Sequence, residues 1–401
     1  MTPRPADSYS PLYFLASLGA GGLAVTFFMY LFFWVPHPGQ PVPIFEDSAR
    51  AFATGPLGTQ IAIVLAFAGI AVFGVLNVKS LIWNLTSYRV WRGTEAHAKL
   101  TRSNAETQLL AMPLALAMTI NVCFILGLTF VPGLWSVVEY LFPLAMIAFL
   151  AIGVLAFRLL ANFLGRVLTQ GGVFDLTAHN SFAQLLPAFA LSMVAVGLAA
   201  PAAMSTAPLV QGISLILSTF FGFAAILYAV VAAITGINAM LHYGTARESG
   251  PTLMIVVPLL TVLGIMFLRQ DHGLHVSFDA HTAAADTLVF LTRIVAVQVL
   301  FLLLGLLVLR RQGYVAEFIF GAKTSPGAYA LVCPGVAMAV MLHFWINKGL
   351  VANGLVVKFS AGYWLLTAAA LGFQVAMIAL VWYLNRRHFG RPAEGTAVPA
   401  E

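Results

Sequence analysis

The chain has 401 residues, of which 61% are hydrophobic and only 8% charged, with a formal net charge of +6 and a mean hydropathy of +0.93. A water-soluble domain carries roughly 25% charged residues, so a soluble enzyme core, a disordered chain and a disulfide scaffold are all excluded. The two cysteines, Cys123 and Cys333, sit in apolar runs and give neither a disulfide framework nor a zinc-site spacing.

The apolar runs are continuous and do not alternate, which predicts membrane-spanning helices rather than barrel strands. In chain order the spans are expected at 11–36, 58–84, 108–131, 135–163, 181–203, 208–241, 252–268, 284–309, 326–347 and 362–385, one transmembrane domain within 1–401. Turn signals such as Pro132-Gly133, Gly250-Pro251 and Pro326-Gly327 separate them. The first run is too long for a signal-peptide core, follows only Arg4 and ends in aromatics, so it reads as a retained helix.

Between spans two and three, Arg89, Arg92, Lys99 and Arg102 suit anionic lipid headgroups. After span seven, Arg269, Asp271, His272, His275, Asp279 and His281 read as a solvated loop, and no metal site is assigned. With this layout 15 of the 20 lysines and arginines fall on the side of both termini and 4 on the other, leaving Arg293 within a span. The positive-inside rule then places both termini in the cytoplasm and the chain in the cell (inner) membrane. The basic balance is an orientation signal, with the lipid bilayer rather than nucleic acid as partner.

Spans three, five, seven and nine carry Pro113, Pro187, Pro258 and Pro334, spaced by 74, 71 and 76 residues, about one hairpin with its loops. Span one has Gly21 and Gly22 instead. Proline in a helix frees a backbone carbonyl, tolerable in lipid only where protein or water satisfies it. The odd spans, rich in small residues, are therefore expected inside as pore-lining helix breaks, and the bulkier even spans outside.

Ten helices in five hairpins with broken inner helices resemble the tellurite-resistance and C4-dicarboxylate transporter family, which includes the slow-type anion channels. The chain is also similar to a divergent branch of it named TsoY. The resemblance rests on topology and on Pro113, Pro187, Pro258 and Pro334, and spans about Pro11 to Asn385. It implies an all-α fold of five hairpins in a pseudo-fivefold ring around a central pore, assembled as a homotrimer, with a phenylalanine gate on the ninth helix. Here the ninth span offers Met338 near its middle and Phe344 toward its end, while Phe189 follows Pro187 as another plug.

Other candidates have plainer alternatives. Arg293, an intramembrane charge, attracts an anion, snorkels, or pairs with Glu139. His343 titrates as a gate or sits in an aromatic belt. Cys333 is redox-relevant or a small apolar filler. Asn121, Thr119, Ser192 and Thr261 offer pore hydrogen bonds or join helices.

There is no Gly-rich phosphate loop, nucleophile elbow or HExxH motif, so no catalytic residue and no cofactor is assigned, and the chain is not expected to be an enzyme. The expected function is a channel or transporter moving small anions through a pore lined by the odd helices. The alternatives are a proton-coupled dicarboxylate or sulfur-oxyanion carrier and, in another class, a membrane redox or quinone-anchor subunit or a cysteine-based redox protein.

Overall fold

The computed structural model describes residues 8–170, 180–277 and 282–389. Ten helices in it are long and apolar enough to cross a membrane: α1 (Pro11–Trp34), α2 (Leu57–Trp91), α3 (Asn104–Phe130), α4 (Leu134–Gln170), α5 (Phe182–Met204), α6 (Pro208–Tyr243), α7 (Arg247–Val276), α8 (Ala284–Arg311), α9 (Pro326–Val351) and α10 (Ala361–Phe389). No strand occurs among the described residues. The chain is a multi-pass, all-α membrane protein.

All ten expected spans correspond to these helices, but several helices run past the apolar stretch. α7 continues to Val276 rather than stopping at 268, and α9 reaches Val351 rather than 347. Backbone hydrogen bonding does not end where hydrophobicity ends. Polar side chains extend a helix when an aqueous cavity or the interface receives them. Asp279 and His281, expected in the loop after span seven, lie outside the described residues.

Consecutive helices pack as the hairpins α1–α2, α3–α4, α5–α6, α7–α8 and α9–α10. Each odd helix also touches two other odd helices: α1 meets α3 and α9, α5 meets α3 and α7, and α7 meets α9. In the most apolar 18-residue stretch of each odd helix, 56–94% of residues are buried, against 17–39% in the even helices. An even helix in a water-soluble protein could not leave so much apolar surface uncovered; here lipid covers it.

The prolines do not kink the odd helices in mid-course. Pro113, Pro187, Pro258 and Pro334 each fall in the first turn of a regular α-helix that begins at Ala111, Leu186, Val256 and Val332 respectively. Each follows a 3₁₀ lead-in: Asn104–Leu110, Phe182–Leu185, Arg247–Ile255 and Pro326–Leu331. In the first turn the missing proline N–H is a donor the helix leaves unpaired anyway. The expected breaks are thus junctions between a tight turn and a regular helix. Nor is proline itself confined to odd helices, since Pro143 lies inside α4.

Four of the five odd helices open on a serine cap. Ser10, Ser103, Ser181 and Ser325 accept from the backbone N–H of Leu12, Ala105, Ala183 and Gly327 at 3.1–3.3 Å. A capping hydroxyl satisfies one of the donors at a helix start. This recurrent serine is a second internal regularity beside the proline.

Both ends of the described chain meet on one face. Tyr13 Oη lies 3.2 Å from His388 Nδ1. On the same face Arg166 pairs with Glu106 at 2.7 Å and donates to the Ser103 carbonyl at 3.0 Å, tying α4 to the start of α3. Arg387 of α10 donates to the carbonyls of Ile319, Gly321 and Lys323 in the loop before α9.

Candidate functional site

Two cavities lie one behind the other in the interior. The proximal cavity, on the face of the termini, has a volume of about 330 Å³ and is edged by Ser8, Ser10, Gln108, Glu248, Thr252 and Ser325. The distal cavity, of about 440 Å³, opens toward the other face. Three residues border both spaces: Phe189 of α5, Pro258 of α7 and Cys333 of α9.

Each odd helix presents one stripe to the distal cavity at the three- and four-residue spacing of a helical face. α1 contributes Gly19, Gly22, Val25, Phe28 and Phe32; α3 contributes Met118, Asn121, Ile125 and Leu128. α5 contributes Phe189, Met193, Val196 and Ala200; α7 contributes Pro258, Thr261, Ile265, Leu268 and Arg269; α9 contributes Cys333, Val336, Val340, Phe344 and Lys348. The even helix α4 also reaches this cavity with Phe142, Ala145 and Phe149. Gly197 permits this, because a Cβ there would collide with the Phe149 ring. The lining is therefore not confined to odd helices.

Of the four prolines proposed as helix breaks, Pro258 borders the cavities, whereas Pro113, Pro187 and Pro334 are buried and border neither. Gly22 lines the distal cavity, whereas Gly21 faces Met118 and Asn77, which a Cβ would strike. Gly19 and Gly22 let α1 approach α9, where Val332 and Val336 occupy the space a side chain would need. Among the plug candidates, Phe189 borders both cavities. Phe344 borders the distal cavity and packs on Phe32 and Phe33, with ring centroids 5.9 and 5.2 Å away. Met338 is buried and borders neither space.

Arg293 is exposed on the outer helix α8 and borders neither cavity. Its proposed partner Glu139 instead accepts from Ser205 Oγ and from the Thr206 N–H, both at 2.7 Å. His343 is buried among the rings of Tyr30, Phe33 and Trp34 at 5.8–6.3 Å, away from the cavities. Cys123 is exposed on α3. Asn121 and Thr261 do face the distal cavity, and both also bond between or within helices: Asn121 Nδ2 donates to the Ala117 carbonyl, and Thr261 Oγ1 to those of Val257 and Ala337. Thr119 and Ser192 donate to carbonyls of their own helices, at 3.0 and 2.8 Å, and border neither cavity.

The charged residues of the distal cavity, Arg269, Asp271 and Lys348, fall outside the spans expected from the sequence. Arg269 lies within α7 and lines the cavity, with Asp271, His272 and His275 further along the same helix. Arg269 Nη1 donates to the Val196 carbonyl at 2.7 Å. That carbonyl belongs to the last turn of the regular helix Leu186–Leu198, where carbonyls lack helical partners and a cation is favoured. Lys348 reaches the cavity from α9, where Trp345–Val351 forms a π-helical turn. Trp34 Nε1 donates to Tyr363 Oη, which donates to Asn347 Oδ1, at 2.9 and 3.0 Å, pinning that turn to α1 and α10. Arg269 was legible in one respect: 258, 261, 265, 268, 269 and 272 continue a single helical face through the polar end of α7.

No group of histidine, cysteine, aspartate and glutamate suited to a metal ion occurs among the described residues. In comparison with known proteins, no family model and no curated protein matches the chain.

Proposed function

We propose that the chain is a channel or transporter for small anions in the cytoplasmic membrane, with a conduit formed by the two cavities and closed at Phe189, Pro258 and Cys333. The observation that carries this reading is that two cavities share three bordering residues contributed by three different hairpins. An apolar constriction of this kind closes a conduit by excluding water, without a plug domain.

The closed cycle of contacts α1–α3–α5–α7–α9–α1 supports a pseudo-fivefold ring of hairpins around the conduit. The charge bias of the loops supports cytoplasmic termini. The distal cavity then opens outward and carries Arg269 and Lys348 against one carboxylate, Asp271. A net positive mouth concentrates anions. A homotrimer is part of the same reading through the family resemblance.

Purified protein in liposomes, assayed for flux of chloride, nitrate, sulfite, thiosulfate and malate, tests the proposal. Wild-type protein should pass at least one anion slowly, and Phe189→Ala should raise that flux several-fold. Phe344→Ala, which borders the distal cavity alone, should raise it less. An absence of anion flux in wild type and Phe189→Ala alike would remove the proposal.

Arg269 also favours a second reading, a coupled dicarboxylate or sulfur-oxyanion carrier, because it supplies a fixed basic group inside the distal cavity. Accumulation of malate or thiosulfate driven by an imposed proton gradient would separate it from passive conduction.

A further inference from the structure

The geometry points to Arg269 as a specificity-determining residue of the distal cavity, one that selects planar or tetrahedral oxyanions over halides. The inference rests on the proposed anion path and names the chemistry of its ligand.

Three observations lead to it. Arg269 borders a cavity of about 440 Å³ and is held there by one nitrogen only, Nη1 on the Val196 carbonyl. No carboxylate among the described residues forms an ion pair with it, although Asp271 lies two positions along α7. The Nε and Nη2 donors meet no acceptor among the described residues.

A guanidinium anchored at one nitrogen keeps an edge of two roughly parallel N–H groups. That edge matches two oxygens of a carboxylate, nitrate or sulfite, whereas a spherical halide takes the charge but not the paired geometry. Anchoring also fixes the direction of the edge before a ligand arrives, which lowers the ordering cost of binding. Lys348, reaching the same cavity from α9, adds a compact charge that attracts halides and oxyanions alike. The division of labour is charge from both residues and shape from Arg269.

The capping of α5 accounts for Nη1 alone, so the experiment must read anion preference as well as stability. Wild type, Arg269→Lys, Arg269→Gln and Lys348→Gln are purified in detergent. Thermal midpoints are followed against added sodium nitrate, acetate and chloride at constant ionic strength. Relative permeability to the same anions is measured in liposomes.

Wild type should be stabilised by nitrate and acetate at lower concentrations than by chloride. Arg269→Lys should keep the chloride response and lose about tenfold in oxyanion affinity, the value of one charge-assisted hydrogen bond. Arg269→Gln should lose the oxyanion preference and weaken the chloride response, and Lys348→Gln should weaken both responses while keeping their ratio. Equal responses of wild type to nitrate, acetate and chloride overturn the inference without any variant. An unchanged oxyanion-to-chloride ratio in Arg269→Lys also overturns it. Anion flux with no Arg269-dependent preference sinks this inference and leaves conduction standing. Arg269-dependent oxyanion binding without flux keeps the site and sinks conduction.

Discussion

The Gln298 side-chain amide of α8 donates to Thr261 Oγ1 of α7 at 2.7 Å and to the Val257 carbonyl at 2.8 Å. Gln298 is fully buried, on a helix whose other surface is largely exposed. It braces the junction that carries Pro258, from the outside, through the backbone carbonyl preceding that proline.

Gln298→Leu should therefore lower stability by about 1 kcal/mol, since inter-helix hydrogen bonds in membranes contribute modestly and Thr261 keeps its carbonyl partners. Unfolding in a graded detergent series measures this. With Pro258 at the constriction, basal anion leak should rise in the same variant, read by liposome flux.

Glu106 and Arg166 are 10% and 16% exposed at their side chains, so their ion pair is shielded from solvent. Glu106→Gln leaves the guanidinium with the Ser103 carbonyl and no counter-charge, and should cost about 3 kcal/mol, as for other pairs broken from one side. The double variant Glu106→Gln with Arg166→Gln should recover part of that loss. Thermal midpoints in detergent give both values.

Gly273 and Gly335 look alike in sequence but differ in what a methyl group would meet. At Gly273 it would strike the backbone carbonyl of Ala202, which is held within α5; at Gly335 it would strike the Met377 side chain. A thioether can turn aside, whereas a backbone carbonyl cannot. Gly273→Ala should cost about 2 kcal/mol as an overpacked contact, and Gly335→Ala clearly less, in the same thermal assay.

Burial, with Arg92 nearby, holds the His97 imidazole below its ordinary value, while Glu106 acts weakly the other way. The fold thus favours neutral His97, and its contribution is complete above the unfolded value near 6.5 and declines as pH falls. His97 stands edge-on to Trp91, with ring centroids 4.9 Å apart, in the short helix Glu95–Leu100. Protection factors of residues 95–100, corrected for the pH dependence of intrinsic exchange, should fall between neutral pH and pH 5, and His97→Gln should flatten that dependence.

The fold was legible because each helix had to supply enough apolar residues to cross the bilayer, and burial of odd helices followed from the clustering of small residues there. Phe189, Pro258 and Cys333 were each visible singly, as a bulky residue after a proline, a break and a lone thiol. Their meeting was not, because it depends on three hairpins packing side by side. Arg269 and Lys348 were read as loop residues because an apolar run is cut at its first charge, although the helical face of α7 continues unbroken through Arg269 to His272. Arg293 misled in the opposite sense. Depth along a span was readable, whereas the direction it faces depends on which flank of α8 meets α7 and α9.

The contact between Tyr13 and His388 has a consequence for biogenesis. α1 is made before α10, so that phenol and imidazole find each other only once α10 has followed. Until α9 is made, α1 lacks this neighbour, leaving Gly19 and Gly22 as an open groove that Val332 and Val336 later fill. Chains ending before Pro326 should thus remain unsealed and be recognised by membrane quality-control proteases.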